Sequence, residues 1–294
     1  MASSRDKTGR KMKFSQRDFR HLRLAVRRHP FSNAAQLNVE CKMHGSNAVT
    51  TRTIRNYLKF LGLKCRVARR KPFVNAFQRH RRVLWAKGLI KKPLSFWKKC
   101  LYSDETKICL LGGSLNEKVY RGDGEAELSQ HMRGTVKHCP SVTIWACFSY
   151  KGVGKLRFVN AKESMNTAWY LTVLENEVLQ SLNEHFGSVN HAWFQDDGAP
   201  CHRSKSVLAR CQQLRIKKLD WVGQSPDCNP IENLWALLKK KVTAANPLTI
   251  NELKEVVLRV WNSEIPLHYC QALCASMTSR MHSVIKKKGF PSKY

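Results

Sequence analysis

The sequence predicts an α/β body preceded by a small all-α module, and three observations carry that prediction. Charge is unevenly spread: residues 1–100 hold 27 Lys and Arg against 3 Asp and Glu, whereas residues 101–294 hold 25 against 18. Residues 15–62 set apolar side chains at helical spacing in three short runs, each opened by a capping residue. Beyond residue 99, apolar runs of strand length come first and then alternate with helical periodicity, the order expected of an α/β domain.

The first helix opens at Ser15, with Asp18 three residues on as in a capping box, carries Phe19, Leu22, Ala25 and Val26, and ends before His29-Pro30. Ser32 or Asn33 caps a second helix carrying Ala35, Leu37 and Val39. Thr50 or Thr51 caps a third, whose Ile54, Tyr57, Leu58 and Leu61 share a face and which stops at Gly62. That leaves Thr51, Arg52, Arg55, Asn56 and Lys59 outward. Three helices ending in a basic one suit a helix-turn-helix, whose last helix enters the major groove. There Arg grips guanine and Asn grips adenine. A small bundle with a solvated charged face would show the same periodicity; the net charge of +24 over residues 1–100 favours the DNA reader. Arg10 and Lys11 in the tail (residues 1–14) suit a minor groove, and Arg69 and Arg70 suit phosphates or an import signal. Residues 66–98 form a basic linker with a helix over 76–90 that carries Phe77, Val83, Leu84 and Trp85.

In the body, Cys100–Ser103 and Lys107–Leu111 are expected as two strands flanking Asp104, followed by strands at Val142–Phe148 and Lys155–Val159. A helix bearing Tyr170, Val173, Leu174 and Val178 comes next. After it stand a strand at His191–Gln195, a helix at Ser204–Gln213, a short strand at Ile216–Leu219 and a helix opened by Asn229-Pro230. The longest apolar run, Val142–Phe148, is too short to span a bilayer, so no membrane partner is expected. The 11 cysteines include no Cys-x-x-Cys pair, which argues against a zinc ribbon; His138-Cys139 and Cys201-His202 could meet only through the fold.

Three carboxylates stand out. Asp104 lies among apolar residues, Asp197 follows a strand, and Glu232 begins a helix 34 intervening residues later. Rigid strand tips and a helix start suit metal ligands, and carboxylate oxygens suit Mg²⁺. Two such ions can clamp the attacking and leaving oxygens of a phosphoryl displacement. The ordinary alternative for Glu232 is a capping-box role, with Asn229 as cap and Pro230 first in the helix. Asp197 could likewise cap a turn.

Ser103-Asp104-Glu105-Thr106-Lys107, Val136-Lys137-His138, Trp145-Ala146-Cys147-Phe148-Ser149, Gly152-Val153-Gly154, Gln195-Asp196-Asp197-Gly198-Ala199-Pro200-Cys201-His202 and the run from Gln224 through Pro226-Asp227-Cys228-Asn229-Pro230-Ile231-Glu232-Asn233-Leu234-Trp235 resemble the transposases of the Tc/mariner superfamily. So does the closing stretch Val284–Tyr294. The resemblance runs from about residue 9 to the end and implies an RNase H-like catalytic domain over residues 99–294, a mixed sheet flanked by helices, behind a helix-turn-helix at 15–65. It implies that Asp104, Asp197 and Glu232 are catalytic and hold two Mg²⁺ (or Mn²⁺) ions. Double-stranded DNA bearing transposon inverted repeats would be hydrolysed and its 3′-hydroxyl joined to a TA target. A homo-oligomer on DNA and a nuclear location are expected with it. Aligning on Ala199-Pro200-Cys201-His202 selects Asp197 over Asp196. The chain departs from the family in resembling only the second of two helix-turn-helix units, in Gly9-Arg10-Lys11-Met12, in Cys139-Pro140, and in Gly198 where Asn is usual. Those departures keep open a non-catalytic or domesticated DNA-binding protein, and a structure-specific nuclease of the same fold.

Overall fold

The computed structural model describes residues 11–66, 73–110, 139–160, 163–223 and 225–292. The chain forms two compact units, Met1–Arg70 and Lys71–Tyr294.

The first unit is three helices: α1 (Gln16–Arg28), α2 (Ala34–Met43) and α3 (Thr51–Phe60). Ser15 and Asn33 each close a capping box, and Thr50, rather than Thr51, caps α3. Each such cap satisfies backbone N–H groups that the helix start leaves unpaired and stabilises it by about 1 kcal/mol. Gly62, at φ 73, ends α3 in the left-handed region that a side chain disfavours. Leu22, Ala25, Leu37, Cys41, Ile54 and Tyr57 form the core with Phe14. Asp18 also accepts a 2.7 Å bond from Ser46 Oγ, tying the start of α1 to the turn before α3. That bond is the main reason its carboxyl is held below the usual range. Of the apolar residues of α2, Ala35 is exposed and Val39 is 53 % exposed. Helical spacing places Leu37 and Cys41 together instead, with Asn38 inward and its Nδ2 donating to Val49 O at 2.8 Å.

The second unit begins with α4 (Ala76–Leu89) and the single turn α5 (Leu94–Trp97). The sequence boundary at residue 99 therefore falls inside it. Of the apolar residues of α4, Phe77 and Leu84 are exposed, while Arg82 and Ala86 are buried. Among the described residues four strands follow, β1 (Cys100–Cys109), β2 (Ser141–Ser149), β3 (Gly152–Val159) and β4 (Trp193–Gln195), in the spatial order β3-β2-β1-β4. β1 pairs antiparallel with β2 and parallel with β4, so the sheet is mixed. Instead of two strands flanking Asp104, β1 runs unbroken through it, because Asp104 and Glu105 keep their ladder positions opposite Ala146 and Trp145. The expected strand at 216–219 shrinks to one bridge, Phe194 with Lys218.

Strand alternation sends Cys100, Tyr102, Ile144, Ala146 and Phe148 to one face. They pack there against α9 (Ile231–Ala245), α10 (Ile250–Ser263), α11 (Leu267–Ala275) and α12 (Met277–Lys286). Leu101, Trp145 and Cys147 go to the other face. They meet α6 (Thr167–Val173), which passes through a π turn into α7 (Leu179–Phe186), and α8 (Lys205–Gln213). A helix-flanked mixed sheet behind a helix-turn-helix is the architecture expected from the sequence. No helix among the described residues is long and apolar enough to cross a membrane.

Candidate active site

Ser103 stitches together the elements that carry the three carboxylates. Its hydroxyl donates to Gln195 O at 2.9 Å, at the end of β4 and two residues before Asp197. Its carbonyl accepts from Asn229 Nδ2 at 3.1 Å, three residues before Glu232. Asp104 follows Ser103 on β1. The tip of β4 and the start of α9 are thus both pinned to the backbone beside Asp104.

The capping alternative for Glu232 does not form. Asn229 Oδ1 accepts from Ile231 N at 3.3 Å, the cap position is Pro230, and no side chain caps α9. Glu232 is instead within hydrogen-bonding reach of Asp104, and burial raises its carboxyl above the usual value. Asp104 is pushed up to about 8, first by burial, then by the charges of Glu105 and Glu232, with a contribution from Asp197. Glu105 is pushed up to about 7 by burial, with His202 opposing. At Asp197 burial also acts upward, but a 2.9 Å bond to His202 Nδ1, a 2.8 Å bond from Ala199 N and the charge of Arg203 outweigh it and hold the carboxyl low. His202 is raised in turn: burial opposes its charged form, and the Asp197 bond and the Glu105 charge overcome that.

Asp196 has a different part. It is 5 % exposed, accepts from Tyr170 Oη at 2.8 Å and pairs with Lys218 Nζ at 2.6 Å. It anchors the strand tip, while Asp197 keeps about half its side-chain surface open.

Four carboxylates so close, one holding its proton to about pH 8, lack enough positive charge among themselves. Their hard oxygens and rigid mounts fit a divalent cation. Among the described residues, no three His, Cys, Asp or Glu side chains already surround a common point; Asp197 is held by His202. Its Oδ1 takes both bonds, which leaves Oδ2 outside them. Of the joint site conceivable for Cys201-His202 and His138-Cys139, His138 lies outside the described residues, and His202 faces carboxylates.

The half-buried Asp104 carboxyl sets a testable balance. Its pKa is raised on folding, so its stabilising contribution is complete below the unfolded value and is lost as pH rises toward about 8. Asp104→Asn should therefore raise the metal-free melting temperature of the second unit at pH 8, by at least about 1 kcal/mol or ~2–4 °C, and not at pH 4. Equal melting curves at both pH values would contradict the raised carboxyl.

On α3, Arg52, Arg55, Asn56 and Lys59 are exposed and Thr51 is half-buried, as expected of a free face. Lys11 is exposed. Arg10, Arg69 and Arg70, and the Val136-Lys137-His138 segment, lie outside the described residues.

Residues 19–89 match a helix-turn-helix family described as a transposase, and residues 99–254 match the DDE superfamily endonuclease family. The transposable element Tcb1 transposase of Caenorhabditis briggsae is 31 % identical over 277 residues, covering 94 % of this chain and 99 % of that protein. The chain belongs to the Tc1/mariner transposase family. The Mos1 transposase paired-end complex with left transposon end superposes at a TM-score of 0.83 with 17 % identity, covering 99 % of this chain and 83 % of that one. The mariner Mos1 paired-end complex with Mg does so at 0.82 with 18 % identity, with the same coverage of both chains. At that identity the likeness is one of fold. The Tc1/mariner assignment makes the first unit a DNA-binding helix-turn-helix and the second a DDE endonuclease domain.

Proposed function

We propose that this transposase binds the inverted repeats at transposon ends, cleaves phosphodiester bonds there with Mg²⁺ (or Mn²⁺), and joins the freed 3′-hydroxyl to a TA target. The observation that carries the reading is the group formed by half-buried Asp104 and Asp197 with exposed Glu232, stitched at Ser103 in an otherwise very basic chain. Asp104, Asp197 and Glu232 would hold two ions, which when bound activate the attacking oxygen and neutralise the leaving one. The chain's own part is to keep three acidic side chains on one strand, just past the end of a second, and at one helix start. The solved Mos1 assemblies are paired-end DNA complexes, one of them with Mg, and this supports two copies acting together on DNA here and a divalent ion at the site. Acting on chromosomal DNA places the chain in the nucleus, for which the basic run at 66–71 would serve as import signal.

The purified chain, incubated with DNA carrying the inverted repeats that flank its gene, should nick at the repeat ends only when Mg²⁺ or Mn²⁺ is present. Binding without cleavage would leave a domesticated DNA binder. Cleavage indifferent to the repeats would leave a structure-specific nuclease.

Base reading is assigned to α3. Arg52→Ala or Arg55→Ala should weaken binding by about 1–3 kcal/mol on the cognate end alone if the side chain reads a base. A phosphate contact would weaken all sequences alike and flatten the salt dependence. Salt-insensitive binding in a gel-shift titration would remove α3 from the interface.

A further inference from the structure

His202 lies beside the carboxylates, and the sequence assigns it no role. The one-turn helix at Pro200–Arg203 folds the chain back so that a residue five positions after Asp197 faces it. Its ring is 6 % exposed and stacks on Tyr170 with centroids 3.8 Å apart and planes 24° from parallel. Its carbonyl accepts from Lys218 Nζ at 2.8 Å, and its N–H donates to Ala199 O at 2.9 Å. Ring face and backbone are both fixed. Nδ1 meets Asp197 Oδ1 at 2.9 Å, and Nε2 lies 3.6 Å from Glu105 Oε1. Glu105 is itself held on β1 one residue from Asp104.

We propose that His202, backed by Glu105, is a positioning residue: it holds Asp197 Oδ1 through Nδ1–H so that Oδ2 is presented to the divalent cation. This rests on the metal-dependent reading above. Ala199 N already satisfies the turn that follows Asp197, so the imidazole bond is a second restraint on the same oxygen. A carboxylate with about half its surface open would otherwise sample several rotamers, and each would lower the fraction ready to bind. Partners of this kind, which orient a ligand without touching the ion, typically change metal affinity by roughly 10–100-fold when removed.

The test is Mn²⁺ binding to the full chain, followed by the electron paramagnetic resonance signal of free Mn²⁺, beside gel-shift measurement of DNA affinity. His202→Ala should raise the Mn²⁺ dissociation constant roughly 10–100-fold and leave duplex affinity unchanged. His202→Asn sets an amide donor near the Nδ1 position and should recover most of the loss. His202→Gln sets it near Nε2, toward Glu105, and should not. Equal Mn²⁺ affinity in the Asn and Gln variants would overturn the proposal even if the Ala variant fails to fold, as would a folded Ala variant that binds Mn²⁺ like the parent. Asp197→Asn separates the two levels. If it binds Mn²⁺ normally, the metal-site reading itself fails. If it loses Mn²⁺ while His202→Ala does not, only the role of His202 fails.

Discussion

Asp104→Asn, Asp197→Asn and Glu232→Gln should each lower metal-dependent cleavage by at least about 10³-fold while leaving duplex binding intact. Each amide keeps the size of the side chain but removes a charge and an oxygen ligand. The charge stabilisation that a metal pair gives a displacement at phosphorus is worth several kcal/mol, at about 1.4 kcal/mol per factor of ten. Duplex binding persists because the excess positive charge, +24 over residues 1–100, is untouched. Asp196→Asn tests the register. Its carboxylate is engaged by Tyr170 and Lys218, so the change should lower the melting temperature and spare most of the cleavage per folded molecule. Cleavage that survives Glu232→Gln would remove Glu232 from the site, since α9 starts without its help.

The largest stability effect should come from a pair remote from the chemistry. Arg82 of α4 is 1 % exposed and grips Asp227 with two bonds, of 2.9 and 2.7 Å. Its Nε also donates to Gly289 O at 3.0 Å. Asp227 Oδ2 accepts from Ser292 N at 2.7 Å, and Arg280 NH1 donates to Asp227 O at 2.8 Å. Through its carboxylate and its main-chain carbonyl, Asp227 thus joins α4, α12, the C-terminal segment and the lead-in to α9, five residues before Glu232. Arg82→Ala or Asp227→Ala leaves the other charge buried and unmatched, at a cost of about 3–5 kcal/mol. In a thermal melt that is a drop on the order of 10 °C. Burial works against the Asp227 carboxylate, but Arg82 and Ser292 hold its pKa below the usual value. Its stabilising contribution is therefore present above the unfolded value, near 4, and is lost as pH falls through the lower folded one. An unchanged melting temperature in either variant would show that the junction is not needed.

What the sequence made legible was local or strictly spaced. Ser15, Asn33 and Thr50 cap helices by bonds to residues two or three away, so their signature is written in neighbouring letters. β2 and β3 announce themselves by apolar runs. The Asp197-to-Glu232 gap is a chain distance, and the fold brings the carriers of those residues together at Ser103. What escaped depends on contacts across the chain. Arg82 sits in a helix rich in Lys and Arg, which reads as a solvated face, and only Asp227, 145 residues away, explains its burial. β1 was split in two because a polar pair in mid-strand looks like an interruption until β2 is seen opposite. Helices α10 to α12 were not delineated, although they cover one face of the sheet. His202 showed only as a possible zinc ligand, since its stacking on Tyr170 is invisible without the fold.

Gly198 has φ +68, and a Cβ there would overlap the Arg203 guanidinium, with Cζ 2.8 Å away. Arg203 donates to Trp221 O at 3.2 Å, and its charge helps to hold Asp197 ionised. A side chain at 198 would therefore turn the flexible Arg203 guanidinium aside, away from its bond to Trp221 O, and would sit in a left-handed backbone that only glycine adopts without strain. The absence of a side chain at 198 is what leaves room for a positive charge beside Asp197.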